Sequence, residues 1–226
     1  MIENLNIKIK NIFLKLQNIQ IFKNLTFDFS SMGVSIILGA NGSGKTLLTK
    51  AIVGLIELDK GRVIMNSSIE IGYAPQKIVF LRRNVYDNLA YPLKVKGVKS
   101  KKIKDRINKL MDEFGVENKK FYSARNLSVG NAQYISFIRS IITDPQVLIL
   151  DEPCSNLDDN YRIKIEDYIR KYRKQKKIIM ITHDFLQAKR LADEIILMRK
   201  GKFIGKYDKK YFIKKEKEVM KKFFSN

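Results

Sequence analysis

The chain has 226 residues, 45% of them hydrophobic, which allows one α/β domain with a small inserted subdomain and excludes two independent catalytic units. It lacks the basic-then-apolar order of a secretory signal, has no apolar run near the roughly 18 residues of a membrane span, and has one cysteine, Cys154. These features predict a cytosolic chain. The net charge of +21 would attract nucleic acid, anionic lipid or nucleotide, and we favour a solvated surface near a membrane over a nucleic-acid groove.

The N-terminal part alternates apolar and polar residues, first in LNIKI at residues 5–9 and again in LTFDF at residues 25–29. This period is typical of half-exposed antiparallel strands. We expect these strands to lie on the edge of the main sheet.

A glycine-rich turn, GANGSGKT, follows the apolar run of residues 34–38 and precedes a helical segment, LLTKAIVGL. A buried strand, a glycine turn and a helix start are the context of a phosphate-binding loop, because backbone N–H groups and the positive end of the helix dipole then face phosphate oxygens. The lysine would reach the β- and γ-phosphates, and the threonine hydroxyl would bind magnesium. The candidate nucleotide contacts are Gly39, Ala40, Asn41, Gly42, Ser43, Gly44, Lys45 and Thr46.

The middle of the chain changes from strands to basic helices. A short strand at residues 69–73 leads to Ala74, Pro75 and Gln76, after which apolar residues recur with helical spacing. We predict one domain over residues 1–226, with a nucleotide-binding core (1–76 and 145–226) and an inserted helical subdomain (77–144). Ser128 is expected to cap a helix over residues 129–143.

Two further apolar strands end in polar residues that carry chemistry. VLIL at residues 147–150 predicts a central parallel strand ending at Asp151 and Glu152, and residues 178–181 predict another that leads to His183. Ligands of open α/β sheets bind at the carboxyl ends of such strands. Asp151 would meet magnesium, and Glu152 would orient or deprotonate an attacking water, so the expected reaction is hydrolysis.

The last segment, residues 209–224, places apolar side chains on roughly one helical face among lysines: Phe212, Ile213, Val219, Met220, Phe223 and Phe224. We expect this helix to dock on the core, with a membrane-surface helix as the alternative.

These motifs, in this order, resemble the ATP-binding cassette (ABC) family, the motor subunits of ABC transporters, over essentially the whole chain. GANGSGKT resembles the Walker A loop, YAPQ the Q-loop, LSVGN the signature, VLILDEP the Walker B strand, SNLD the D-loop and ITHD the switch histidine. The resemblance implies a phosphate-loop NTPase core with a mainly parallel sheet, an antiparallel β edge and an inserted helical subdomain.

The resemblance also implies roles for individual residues. Gln76 would bind magnesium and water and sense the transport subunit, and His183 would touch the γ-phosphate and steady Glu152. Ser128 and Gly130 would contact the γ-phosphate of ATP held by a second copy of the chain, and Asp158 would shape the neighbouring site. Simpler readings are a polar loop residue for Gln76, helix caps for Ser128 and Asp158, and a structural histidine.

Two segments depart from the family pattern. The signature has Val129 at the first glycine and Asn131 in place of glutamine. Retention of Ser128 and Gly130 suggests that the phosphate contact survives, whereas the β-branched Val129 suggests slower or looser dimer closure. The position of the aromatic residue that normally stacks on adenine falls near Leu16, counted back from Lys45.

The resemblance implies ATP and Mg2+ as cofactors, a homodimer, membrane-spanning permease subunits and a solute-binding protein, with the chain peripheral on the inner face of the cytoplasmic membrane. Within the family, GVSIILGANGSGKTLL, FLRRNVYDNLAYPLKVKGV and THDFLQAKRLADEIILMRKGK look most like ATPases of bacterial tungstate or related oxyanion importers. The alternatives are a soluble ABC ATPase acting on nucleic acid or the ribosome, whose relatives usually have two cassettes or a long coiled coil, and a phosphate-loop kinase, which would not need the signature.

Overall fold

The computed structural model describes residues 5–224, except for the side chains of Met220, Lys222, Phe223 and Phe224. Strands and helices alternate after an N-terminal hairpin. In chain order they are β1 (Lys8–Leu16), β2 (Ile19–Asp28), β3 (Gly33–Leu38), α1 (Lys45–Ile52), β4 (Lys60–Ile64), β5 (Ile71–Ala74), α2 (Val85–Val95), α3 (Ser100–Phe114), α4 (Val129–Ile141), β6 (Val147–Asp151), α5 (Asp159–Tyr172), β7 (Lys177–Ile181), α6 (Phe185–Leu191), β8 (Glu194–Arg199), β9 (Lys202–Asp208), α7 (Lys209–Lys214) and α8 (Glu216–Phe224).

A six-stranded sheet in the order β5-β6-β7-β3-β8-β9 forms the centre of the molecule. Its first five strands are parallel, and β9 pairs antiparallel with β8 at one edge through a tight turn at Lys200 and Gly201. This sheet confirms the predicted fold class, and β6 is one of its interior parallel strands.

Two hydrophobic cores lie on opposite faces of this sheet, because successive side chains of a strand point to opposite faces. In β7, for example, Ile178 and Met180 belong to one core while Ile179 and Ile181 belong to the other. The first core also contains residues of α2 to α8, and the second contains residues of α1 and the N-terminal strands. Burial on both faces explains why these strands are apolar throughout.

The N-terminal strands were expected on the edge of the main sheet, and this prediction was wrong. They form a separate antiparallel sheet in the order β2-β1-β4, whose apolar face packs into the second core. The alternating pattern predicted half-exposed strands correctly, but it contains no information on which sheet they join.

The helices between β5 and β6 are α2, α3 and α4. The buried face of α3 consists of the predicted residues Ile103, Ile107, Leu110, Met111 and Phe114. Ser128 caps α4 as predicted, since its hydroxyl accepts a hydrogen bond from Asn131 N at 3.3 Å. In the part of the chain that the structure describes, no helix is long and apolar enough to cross a bilayer.

The C-terminal segment is two helices rather than the single helix that was predicted, because the backbone leaves helical geometry at Lys215. Phe212 and Val219 are buried in the first core, which supports docking, whereas Ile213 is 48% exposed. The predicted contributions of Met220, Phe223 and Phe224 lie outside the described side chains.

Candidate functional site

The carboxyl ends of β3, β6 and β7 lie side by side, so the segments that follow them meet at one edge of the sheet. A cavity of about 410 Å³ opens there. It is lined by Ile21, Asn41, Gly42, Ser43, Gly44, Lys45, Thr46, Leu47, Gln76, Asp151, Glu152 and Ile181. The structure thus brings most of the predicted site residues together, including residues 76 and 151, which are 75 positions apart in the chain.

The glycine-rich loop has the shape that a phosphate-binding site requires. Gly44, directly before α1, has φ of 95°, in the left-handed region that favours glycine, and a Cβ there would lie 2.8 Å from the Phe22 ring. A Cβ on Gly39 would lie 2.3 Å from the carbonyl oxygen of Met198. The loop can therefore pass close to its neighbours and leave the amino end of α1 facing the cavity.

Lys45 is the buried cation of the cavity. Its Nζ donates hydrogen bonds to the carbonyl oxygens of Gly39, at 2.8 Å, and Ala40, at 3.0 Å. Burial lowers the pKa of Lys45, and the carboxylates of Glu152 and Asp151 oppose this shift. The ammonium group therefore lies between the loop and the two acids, where an anionic ligand would gain most from its charge.

Asp151, at the end of β6, is 1% exposed, and neither of its carboxylate oxygens has a hydrogen-bond partner in the protein. Burial raises the pKa of Asp151 to about 6; nearby Glu152 adds to the shift, while Thr46 and the lysines at positions 45 and 50 oppose it. A buried carboxylate without a hydrogen-bond partner in the protein is available to bind a cation. With Thr46 and Gln76 lining the same cavity, its oxygens fit a hard cation such as Mg2+.

The described residues contain no group of three or more His, Cys, Asp or Glu side chains able to hold a metal ion. A magnesium ion usually retains water and phosphate oxygens among its ligands and needs only one or two carboxylates from the protein. The oxygen set at Asp151 therefore fits a metal that arrives with a phosphate-bearing ligand.

Glu152 has a backbone φ of 54°, which costs an ordinary residue roughly 1–2 kcal/mol. Its N–H donates to the carbonyl oxygen of Ile181 at 3.1 Å, and its Oε2 lies 2.9 Å from Nδ1 of His183. The carboxylate is nearly buried at the cavity wall, whereas the side chain of His183 is 65% exposed. The fold thus joins these two predicted residues directly, and His183 lies outside the group of residues that lines the cavity.

Gln133 is a buried residue of α4 that the sequence patterns did not single out. Its Nε2 donates to the carbonyl oxygen of Glu152 and, at 3.1 Å, to Oγ of Ser155, and its Oε1 accepts from Asn156 N at 3.1 Å. The signal was a polar residue next to the largely apolar segment YISFI at residues 134–138, which is weak without the structure. Ile21, Leu47 and Ile181 were also missed as cavity residues.

Besides His183, three predicted residues outside the phosphate loop do not line the cavity. Ser128 caps α4, and Asp158 caps α5 by accepting from Tyr161 N at 2.9 Å. Gly130 packs on the loop between β6 and α5, because a Cβ there would lie 2.7 Å from the carbonyl oxygen of Asn156. Within one chain, each therefore has a structural role.

The fold and the site together define a nucleotide-binding α/β protein with a phosphate loop. A family model described as ABC transporter matches residues 22–155. The chain is 35% identical over 195 residues to the tungstate uptake system ATP-binding protein TupC of Peptoclostridium acidaminophilum, with 82% of this chain and 89% of that protein covered. This protein belongs to the ABC transporter family.

A longer relative is the molybdate/tungstate import ATP-binding protein WtpC of Pyrococcus abyssi, at 30% identity over 194 residues. The match covers 80% of this chain, and the chain spans a little over half of that relative's length, 56%. A solved structure titled as the ATP binding subunit of an ABC transporter superposes with a TM-score of 0.83 at 20% identity, covering 94% of this chain and 93% of that one. At 20% identity, this similarity shows a shared fold alone.

Proposed function

We propose that this protein is the ATP-binding and ATP-hydrolysing subunit of an ABC transporter. The observation that carries the proposal is the position of Asp151 and Glu152 beside a phosphate-binding loop, in a chain of this family. One carboxylate is placed to hold a metal ion and the next to act on a water molecule.

The predicted site residues then have definite tasks. The N–H groups of residues 39–46 and the ammonium group of Lys45 would bind the phosphates, and Thr46, Gln76 and Asp151 would hold Mg2+, which would neutralise charge on the terminal phosphates. Glu152 orients or deprotonates the water that attacks in line, and His183, 2.9 Å from its carboxylate, steadies it.

The first test measures ATP binding and magnesium-dependent hydrolysis of the wild type and of Lys45→Ala. We expect the variant to lose most nucleotide affinity, because it removes the buried cation between the loop and the acids. An exposed lysine of α3, Lys102, changed to alanine is the control. Equal affinity of wild type and Lys45→Ala would contradict the proposal.

We propose further that the active unit is a head-to-tail homodimer. Ser128 and Gly130 lie away from the cavity of their own chain, which is compatible with contacts to the nucleotide of a second copy, next to Asp158. A mixture of Lys45 and Ser128 variants should regain ATP binding at one composite site, because each heterodimer has one doubly damaged and one intact site. Activity independent of protein concentration, with a monomer throughout, would oppose this.

Residues 77–92 are the proposed docking segment for a membrane-spanning permease subunit. Val79 and Leu81 are 70% and 39% exposed. Tyr122, whose carbonyl oxygen accepts a hydrogen bond from Val85 N, is 59% exposed. Besides Leu81, we consider Phe80 and Tyr86 candidate apolar contacts to the permease. The Phe80 ring packs under the guanidinium of Arg139, and the Tyr86 ring packs under the ammonium group of Lys120. The exposed apolar side chains support a surface that a partner covers.

Cross-linking tests this surface. In a Cys154→Ser background, a cysteine at position 81 should cross-link to a co-expressed permease, and one at the exposed position 163 on α5 should not. Capture of nucleic acid in place of the permease would favour the alternative of a soluble ABC ATPase.

The transported molecule is proposed to be an oxyanion such as tungstate or molybdate, delivered by a solute-binding protein to a complex at the inner face of the cytoplasmic membrane. The support is the names of two relatives, at 30% and 35% identity. ATP hydrolysis by the assembled complex should rise with binding protein loaded with tungstate, and not with the empty binding protein. Stimulation by an unrelated solute alone would contradict the proposal.

A further inference from the structure

The side-chain amide of Gln133 connects α4 to the loop that carries Glu152. Gln133 is 6% exposed, and its hydrogen bonds reach Glu152, Ser155 and Asn156 on the loop between β6 and α5. The orientation of the amide is determined by its partners, because the carbonyl oxygen of Glu152 needs a donor and the N–H of Asn156 needs an acceptor.

The backbone of Glu152 requires such support. Its φ of 54° lies where side-chain-bearing residues are rarely found, so neighbouring contacts must hold it. From β7, the carbonyl oxygen of Ile181 accepts the Glu152 N–H; from α4, Gln133 donates to the Glu152 carbonyl oxygen. The Oγ of Ser155 donates to the same carbonyl oxygen at 3.2 Å. Gln133 thus supplies the contact from α4 that fixes the backbone of Glu152 and, through it, the direction of the Glu152 side chain.

The same loop also packs against the first turn of α4. Gly130 contacts the carbonyl oxygen of Asn156, and Gln133, one turn later, accepts from the N–H of Asn156. Residues 130 and 133 of α4 therefore both contact the loop of residues 152–156. A displacement of one segment would therefore shift the other.

We propose that Gln133 is a positioning residue for ATP hydrolysis, one that holds the loop 152–156 so that the carboxylate of Glu152 faces the phosphate cavity. This inference rests on the proposed hydrolysis at Glu152. Gln133 lines no part of the phosphate cavity, so it acts through Glu152 and not on the nucleotide.

The test compares Gln133→Met and Gln133→Glu with the wild type in steady-state ATPase and nucleotide-binding assays. Methionine keeps the length of the side chain and removes every hydrogen bond, whereas ionised glutamate still accepts from Asn156 N but no longer donates to Glu152 O. We expect kcat to fall by about tenfold to a hundredfold in both, since small displacements of a reacting group have effects of this size, with KM and ATP affinity within twofold. The glutamate variant keeps the test decisive if the methionine variant does not fold.

The matched control is Tyr134→Phe, the next residue on α4. It removes one buried hydrogen bond, from the tyrosine hydroxyl to the carbonyl oxygen of Phe114 at 3.1 Å, on a side of the helix that faces α3. It should lower the melting temperature yet keep kcat within twofold.

The inference is overturned if a folded Gln133 variant keeps wild-type kcat, or if its loss lies in ATP affinity instead. It is also overturned if Tyr134→Phe loses as much kcat as Gln133→Met, which would indicate a general loss of stability. A wild type that binds ATP without hydrolysing it would remove the proposed function and this inference together, so the two failures can be told apart.

Discussion

Asp151 is a carboxylate that the fold buries without a hydrogen-bond partner. Its pKa of about 6 lies above the ordinary value of 3.8, mainly because of burial. As the pH rises from about 4 through 6, the unfolded chain releases this proton before the folded chain does. The ionised side chain therefore lowers the stability of the metal-free protein above about pH 6.

Asp151→Asn should accordingly raise the free energy of unfolding by about 2–3 kcal/mol at pH 7.5, without nucleotide and with a chelator, because about 2 pKa units correspond to that energy. The gain should vanish below about pH 4, where both side chains are neutral. Urea titration measures it, with the exposed Asp105→Asn as control. The same variant should lose magnesium-dependent hydrolysis. Destabilisation at pH 7.5 would show that Asp151 is held by contacts in the folded chain.

Leu16 ends β1, where the resemblance predicts the aromatic residue that stacks on adenine, and it pairs with Ile19 across the hairpin. Two other rings are poorly placed for this role. Phe22 is fully buried under Gly44, and Phe13 lines a separate cavity with Lys15 and Asp59. An apolar side chain that is 41% exposed is thus the contact available at this position.

We therefore expect GTP to compete with ATP within about tenfold, or roughly 1.4 kcal/mol, since the phosphate loop does not distinguish the bases. Leu16→Tyr should tighten ATP binding by part of the ~1–3 kcal/mol that stacking on an aromatic ring provides. Competition titrations with labelled ATP measure both effects, and Phe13→Leu should change neither. Strong rejection of GTP by the wild type, unchanged by the tyrosine, would place the base elsewhere.

At the scale of single residues, sequence motifs identified side chains that line the cavity but not the residues that hold those side chains in place. Asp151 and Glu152 were predictable because an apolar run ended in acids. The link from Gln133 to Glu152 was not, since hydrogen bonds between segments 19 residues apart depend on tertiary packing. The left-handed backbone of Glu152 was equally hidden, because no glycine marks it.

At the scale of elements, the first residues of β7 and β8 form a buried ion pair in the central sheet. The pair lies at the amino ends of these strands, away from the carboxyl ends beside the cavity. Lys177 is 0% exposed, and its Nζ lies 3.5 Å from Oε1 of Glu194 and 3.0 Å from Oγ of Ser30. Burial lowers the pKa of Lys177 to about 8, against the attraction of Glu194. Burial alone would raise the pKa of Glu194, but Lys177 and hydrogen bonds from Ser35 and Ser30 lower it. The ammonium group of Lys177 and the carboxylate of Glu194 thus each stabilise the charged form of the other in the buried sheet.

Lys177→Met should lower the free energy of unfolding by about 3–5 kcal/mol, because it leaves the carboxylate of Glu194 buried beside only the more distant Lys206. The double variant Lys177→Met with Glu194→Gln should recover much of this loss, since no unpaired charge remains. Denaturant unfolding of the two single variants and the double variant gives the coupling energy. Additive losses would show that packing, and not charge pairing, dominates here.

The elements themselves were mostly predictable from apolar periodicity and capping residues, as in α3 and α4. The exceptions depend on tertiary structure. The separate β2-β1-β4 sheet is selected by packing on the second core, and the break at Lys215 separates two helices that each bury an apolar residue in the first core, Phe212 and Val219.

At the scale of the whole molecule, the site is divided between segments that face the cavity and segments that do not. Residues 41–46, 76, 151 and 152 line it, whereas residues 128–131 lie on the first turn of α4. The proposed account joins them through a second copy of the chain, with closure of the dimer on ATP and its reopening after hydrolysis. Such a cycle links the chemistry at Glu152 to movement of a membrane partner.

The most direct measurement of this account is light scattering of Glu152→Gln with ATP and Mg2+, together with its rate of hydrolysis. Because glutamine at this position cannot accept a proton, the variant should bind ATP, lose most turnover and remain as a dimer of twice the chain mass, while Lys45→Ala stays monomeric. Near-normal turnover of Glu152→Gln, or a monomer that keeps ATP bound, would contradict the account.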